Sequence, residues 1–294
     1  MPWKGKRRIY SLLLAAAALF QAAITGYLLQ NPDYYQLRAD TCESPLFRSM
    51  KLGDSLLRQA VKTETGKLDM DVITAQMIAH DYNMEGIKKE VQEGSLKKPM
   101  VQAARPQDYK LLKKAYEVIL GDIRYFPIPS SGREPDISFS DSWMAERTYV
   151  SGEGRADNKG SRGHEGCDIM GNKSPRGYYP VVSITDGVIE RVGWLEMGGW
   201  RMGIRAPGGA YFYYAHLYGY EGNPKAGDKV KAGQLIGYMG DSGYGKEEGT
   251  VGKFDVHLHL GIYFETEHYR ELSINPYWIL KYLEGRKVGA CWHT

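Results

Sequence analysis

One apolar run near the amino terminus constrains this chain more than any other feature. Lys4, Lys6, Arg7 and Arg8 precede a stretch from Ile9 to Leu29 that is broken only by Ser11, Gln21, Thr25 and Gly26. A hydrocarbon core of about 30 Å needs roughly 20 helical residues. The run exceeds the roughly 7–15 apolar residues of a cleaved signal peptide. A helix built from it has no polar face to offer water. Residues 1–30 are therefore expected to be a basic cytoplasmic end and a single-pass transmembrane signal anchor, with cleavage near Ala22 and Ala23 as the alternative. The positive flank predicts a cytoplasmic amino terminus and an extracytoplasmic remainder.

That remainder has the composition of a folded protein. The 294 residues are 43% hydrophobic and 25% charged, enough for one or two domains with a core. Much of the small net charge of +3 is accounted for by the first ten residues. No basic stripe with interleaved aromatics follows, which argues against a nucleic-acid partner. Glycine at 35 and tyrosine at 22, against 7 phenylalanines, favour a sheet-rich chain with tight turns and half-exposed aromatic rows. Cys42, Cys167 and Cys291 cannot all pair internally, and none has a second cysteine at zinc-ligand spacing. They read as structural or free thiols, with Cys42 and Cys291 the pair to consider in an oxidising compartment.

Residues 31–125 read as a small helical region. Leu52, Leu56, Leu57, Ala60 and Val61 recur at helical spacing, and Val72, Ile73, Met77 and Ile78 repeat the pattern after a cap at Asp69 or Asp71. A third helix is expected from Pro106 through Leu111, Leu112, Ala115, Ile119 and Leu120 to Gly121. The prolines and serines that follow break all periodicity, so residues 126–160 read as a linker. Residues 161–268 then carry short β-type runs separated by turns such as Pro207-Gly208-Gly209 and Gly227-Asp228. The expected fold is a mainly β domain, an antiparallel sheet or open sandwich, with residues 269–294 forming a terminal helix and tail.

Four of the seven histidines fall in this β region, within three segments: Gly163-His164-Glu165-Gly166-Cys167-Asp168, Tyr214-Ala215-His216-Leu217 and Val256-His257-Leu258-His259-Leu260. Alternation along a strand puts His257 and His259 on one face and Leu258 and Leu260 on the other. Two imidazoles side by side are costly to bury without a shared partner, and a divalent metal is the simplest one. His164 and Asp168, four apart in a glycine-flanked stretch, supply two more donors that can reach one ion. Taken singly, the His-x-His pair is as readily incidental, the His164/Asp168 pair a cap, and His216 a satisfied core histidine.

Together the segments resemble the LytM/lysostaphin-type zinc endopeptidases. The resemblance spans about Gly163 to Phe264 and includes the phrases Asp186-Gly187-Val188-Ile189 and Lys231-Ala232-Gly233-Gln234-Leu235-Ile236-Gly237. It implies one zinc ion (Zn2+) per catalytic domain, held by His164, Asp168 and His259 with a fourth position left open, as in a catalytic site. His216 and His257 would be the catalytic histidines, one handling the proton of the attacking water and the other the oxyanion or the leaving amine. The implied substrates are peptides of peptidoglycan, where the anchor would put the domain. A catalytically silent scaffold of a cell-envelope complex is the alternative, and residues 31–125 would be a spacer or the docking region for a protein partner. The segment from Asp241 to Val256 departs from the family pattern in being long and charged, and Cys167 beside Asp168 is a thiol that either competes for the metal or packs. Tyr178, Tyr179, Trp194, Trp200, Tyr211 and Tyr213 are candidates to line a peptide groove, with one or two of them expected to do so.

Overall fold

The computed structural model describes residues 3–30, 37–87, 105–130, 135–150, 159–172 and 175–289. Helix α1 (Trp3–Gln30) contains the stretch Ile9–Tyr27, which is long and apolar enough to cross a membrane and is not buried against the rest of the chain. It is the one such helix among the described residues.

The helical region comes next: α2 (Pro45–Arg48), α3 (Gly53–Gln59), α4 (Met70–Ala79) and α5 (Pro106–Leu120). Asp69 caps α4 by accepting from the backbone N–H groups of Asp71 and Val72. Pro106 opens α5, where its missing N–H has no helical acceptor to lose. The buried face of α5 carries Tyr109, Leu112, Ala115, Tyr116, Ile119 and Leu120 at the three- and four-residue spacing of one helical stripe. Each large apolar side chain buried this way contributes about 1.5–3 kcal/mol.

These helices are not a detached module. Phe47 packs its ring 4.9 Å from that of Tyr116 on α5 and 6.0 Å from that of Phe264 on the sheet. The Arg48 guanidinium donates to the Ser273 carbonyl and hydroxyl, both at 2.9 Å, and the Asn275 N–H returns a bond to the Arg48 carbonyl. One continuous core joins helical and sheet residues. A spacer reading of residues 31–125 takes no account of this packing, because the helical period shows which face is buried but not what buries it.

The segment expected to be a linker contains β1 (Ile137–Ser138) and β2 (Glu146–Val150), and β3 (Lys159–Gly163) begins within its last two residues. The two-residue β1 and the polar β2 and β3 are too short or too hydrophilic to announce themselves by alternation. The remaining strands are β4 (Cys167–Gly171), β5 (Pro180–Val182), β6 (Gly187–Leu195), β7 (Gly199–Arg205), β8 (Tyr211–Tyr220), β9 (Lys229–Val230), β10 (Leu235–Met239), β11 (His257–Phe264) and β12 (Leu272–Ile274), followed by α6 (Tyr277–Leu283). The main sheet runs β1-β4-β11-β8-β7-β6-β9, all antiparallel, while β2 and β3 form a separate ribbon. β8 is long enough to pair β11 along its first half and β10 along its second. β5 and β6 do not pair around the Thr185-Asp186-Gly187 turn; β5 joins β10 and β6 joins β7 and β9. Leu258, Leu260, Phe212, Tyr214 and Ile204 fill the core side of the sheet, leaving the opposite face to a cleft. Cys42 and Cys167 are free thiols, and Cys291 lies outside the described residues, as do residues 88–104 of the helical region.

Candidate active site

The ladder brings distant residues together. In the register of β11 with β4, His259 stands opposite Asp168, and on the other side of β11 it stands opposite Ala215 of β8. His164 opens the three-residue connection from β3 to β4 and closes the group. His164 Nε2, Asp168 Oδ1 and His259 Nδ1 form a triangle with edges of 3.1, 3.1 and 2.9 Å. Three ligands of a tetrahedral zinc at about 2.0–2.1 Å would be separated by about 3.3 Å, so the donor set fits the ion. The protonation states fit it too. Burial opposes ionisation of Asp168, but hydrogen bonding with His164 and His259 outweighs it and holds the carboxyl well below its usual range. Burial pushes His259 below the usual imidazole range, towards the neutral form that binds metals.

The surroundings orient these donors. His164 Nδ1–H donates to the Ser142 carbonyl at 3.1 Å, with the Ser142 hydroxyl at 3.0 Å, which leaves Nε2 as the lone-pair nitrogen facing the triangle. Arg147 on β2 donates to Asp168 Oδ2 at 2.8 Å, leaving Oδ1 to the two imidazoles. Gly166 packs flush against the His259 ring. Ser142 and Arg147 carry no sequence signal, because their elements are joined to the site only by the fold. Gly166 sits in the recognised segment, but its role depends on a ring 93 positions away in the chain.

His257 shares the His259 face of β11, as alternation predicts, and its Nε2 lies 3.8 Å from Asp168 Oδ1. Its Nδ1–H donates to the Asp255 carbonyl at 2.7 Å. His216 arrives by a different route. Tyr211, Tyr213 and Ala215 line the cleft from β8, so simple alternation would send His216 to the core. A bulge prevents this: opposite β7, Trp200 pairs Leu217 and Met202 pairs Tyr214, so Ala215 and His216 together face one residue, Arg201. His216 takes φ +62°, a left-handed conformation uncommon for any residue but glycine, and its side chain also enters the cleft. Its Nδ1–H donates to the Ser242 carbonyl at 2.8 Å, and its ring centroid lies 4.7 Å from that of His257. Burial, reinforced by His257 and His259, pushes its pKa well below the usual imidazole value. The structure thus gathers all five predicted positions at one end of a single cleft.

The cleft has a volume of about 910 Å³. Of the six aromatics named from sequence, Tyr211 and Tyr213 line it; Tyr179 is buried in the core. Tyr263, Tyr244 and Phe254 complete the aromatic wall. Tyr263 shares the parity of His259 on β11, which was its available signal. The long segment after Asp241 does reach the cleft, through Tyr244, Lys253 and Phe254, and also holds His216 through Ser242. Cys167 does not compete for the metal: alternation turns it into the core, where burial raises its thiol pKa and the Ser140 carbonyl accepts its S–H.

Residues 162–273 match peptidase family M23. The chain is 40% identical over 168 residues to an L-Ala--D-Glu endopeptidase of Bacillus subtilis (strain 168), which covers 57% of this chain and 46% of that protein. It is 40% identical over 83 residues to the glycyl-glycine endopeptidase ALE-1 of Staphylococcus capitis, covering 28% of this chain and 21% of that protein. The chain therefore spans less than half the length of these curated relatives. A crystal structure from Ruminococcus gnavus ATCC 29149, provisionally named a LytM glycyl-glycine endopeptidase, superposes with a TM-score of 0.72 at 39% identity, covering 89% of this chain and 99% of that one.

Proposed function

The chain belongs to peptidase family M23, and from that footing we propose that it is a zinc-dependent endopeptidase that cuts peptide bonds of peptidoglycan outside the cytoplasmic membrane. The triangle of His164, Asp168 and His259 donor atoms carries this assignment. Those three residues would hold the ion, which when bound supplies Lewis acidity to polarise the scissile carbonyl and activate water at neutral pH.

The remaining steps fall to the chain's own groups. His216 and His257 each spend Nδ1–H on a backbone carbonyl, so each keeps Nε2 as its free base. One removes the proton of the attacking water, and the other steadies the developing oxyanion or protonates the leaving amine. The lowered pKa keeps His216 unprotonated at neutral pH, as a proton acceptor requires. Tyr211, Tyr213 and Tyr263 give an extended peptide a dry wall to lie against.

The apolar helix α1 with its basic flank would anchor residues 31 onward on the outer side of the membrane, beside the polymer. In this arrangement residues 161–268 act as the catalytic unit, residues 37–87 and 105–125 brace it through the shared core, and the helical region would be where an envelope partner docks. The relatives act, by their names, on L-Ala–D-Glu and glycyl-glycine bonds, so both stem peptides and cross-bridges are candidate substrates. The presence of all five positions in one cleft supports the enzyme over the alternative of a catalytically silent scaffold.

The test is zinc content together with peptide hydrolysis for the detergent-purified full chain beside His259→Ala. One zinc per chain, with metal and cleavage both lost in the variant, is expected. A chain that takes up no zinc would overturn the assignment.

A further inference from the structure

Beyond the donor triangle and Arg147, three further arginines line the cleft. Arg162, Arg191 and Arg201 all line it, and among the described residues none of the three forms an ion pair. Arg147 is engaged by Asp168, and Arg205 by Glu190. Glu165 and Glu271 share the cleft without forming an ion pair with any of the three, although Glu271 acts with Arg191 and Arg201 on Tyr211, and Glu165 with Arg162 on Tyr263; Arg48 lies 3.8 Å from Glu165.

The sheet register locates these arginines relative to the metal-binding residues. Arg201 faces the Ala215–His216 bulge, and Ala215 faces His259, so Arg201 stands two strands from the donor triangle, about 10 Å away. Arg191 lies one strand further and one step diagonal, since Arg191 pairs Gly203 while Arg201 pairs Gly193. Arg162 approaches from the ribbon, where it stands directly opposite Arg147. Facing like charges destabilise a strand pair, and among the described residues Arg147 alone of the two has a counter-charge, Asp168. Tyr213 lies among these groups. Burial raises its pKa to about 12, while Arg201 and Arg162 both pull it down, so its hydroxyl feels the field of both. One Arg201 nitrogen, Nη1, is buried without a hydrogen-bond acceptor. A buried donor left in that state costs free energy that a bound acceptor would recover.

A planar guanidinium fork matches a carboxylate through two parallel hydrogen bonds. An extended peptide advances at most about 3.3–3.6 Å per residue, so a chain seated at the donor triangle brings residues two or three positions along to Arg201. We propose that Arg162, Arg191 and Arg201, with Tyr211 and Tyr213 between them, form a carboxylate-binding subsite, so that the cleft selects acidic peptides bearing a free carboxylate within about three residues of the cleaved bond over neutral glycyl peptides. The substrate class rests on the peptidase assignment; the carboxylate site itself does not.

The experiment uses the detergent-purified, zinc-supplied full chain and two peptides identical except at one group: an L-alanyl-D-glutamyl stem peptide with its free carboxylate, and its carboxamide twin. Two readouts are taken, kcat/KM for cleavage and Kd by calorimetric titration of both the loaded and the metal-free chain. The wild type is expected to favour the acid by about tenfold or more, mainly through KM and Kd. R201Q and, separately, R191Q should bring the acid-to-amide ratio close to one. Equal handling of the two peptides by the wild type, or a ratio that survives both substitutions, would overturn the proposal. If no peptide is cleaved, the peptidase assignment fails while the titration still decides: tighter acid binding lost in R201Q upholds the subsite, and equal binding removes it.

Discussion

Gly166 lies against the imidazole of His259 so closely that a methyl group on its α-carbon would sit 2.7 Å from Nε2 and equally close to the Leu260 carbonyl. Neither neighbour can yield cheaply, since one is a proposed ligand and the other is backbone of β11. Gly166→Ala is therefore expected to displace the His259 ring and lower zinc affinity by about tenfold or more, as disturbance of ligand orientation does elsewhere. Competition against a zinc-binding dye measures it; unchanged affinity would show that the ring is free to move.

Arg147 holds the oxygen of Asp168 that the imidazoles do not use, at 2.8 Å. Arg147→Gln should free the carboxylate to rotate and reduce zinc affinity by about 10–100-fold. A smaller fall in affinity for Arg147→Lys, which keeps the charge but not the fork, would separate position from charge.

His216 is buried as a neutral imidazole, with its folded pKa below the ordinary 6.5. The unfolded chain then binds the proton more readily, so stability is fully present above about pH 6.5 and is lost as pH falls through the lower folded value. Thermal unfolding of the metal-free chain across this range should show that decline. His216→Asn, which does not titrate and tolerates the left-handed backbone, should make it shallower, leaving the part that His259 and Asp168 contribute. An equal decline in wild type and variant would place the linkage elsewhere.

Phe47 is fully buried between α5 and the sheet. Phe47→Ala should cost about 3–5 kcal/mol. Because the core is continuous, denaturant unfolding should shift as one transition. Two transitions, with only one displaced, would mean that the helical region folds independently.

What was legible in the sequence follows from how local each signal is. The His257 and His259 pair could be read because strand parity is a two-residue rule, and Asp69 and Pro106 because caps are local. His216 could be named only through family resemblance. Parity alone sends it to the core, and the bulge and positive φ that reverse it leave no trace in composition. Arg147, Ser142 and Ser242 were invisible because their roles are created by packing of segments far apart in the chain. The same reason hid the union of helices and sheet around Phe47. The apolar stretch of α1, by contrast, needed no tertiary context, since length and composition suffice to identify it.

The most direct test of the account is the release of new amino termini from purified peptidoglycan incubated with the full chain, first stripped with a chelator and then supplied with zinc. The account predicts no release from the stripped protein, release restored by zinc, and none restored in His257→Ala. Release that persists without metal, or none from the zinc-restored wild type, would contradict it.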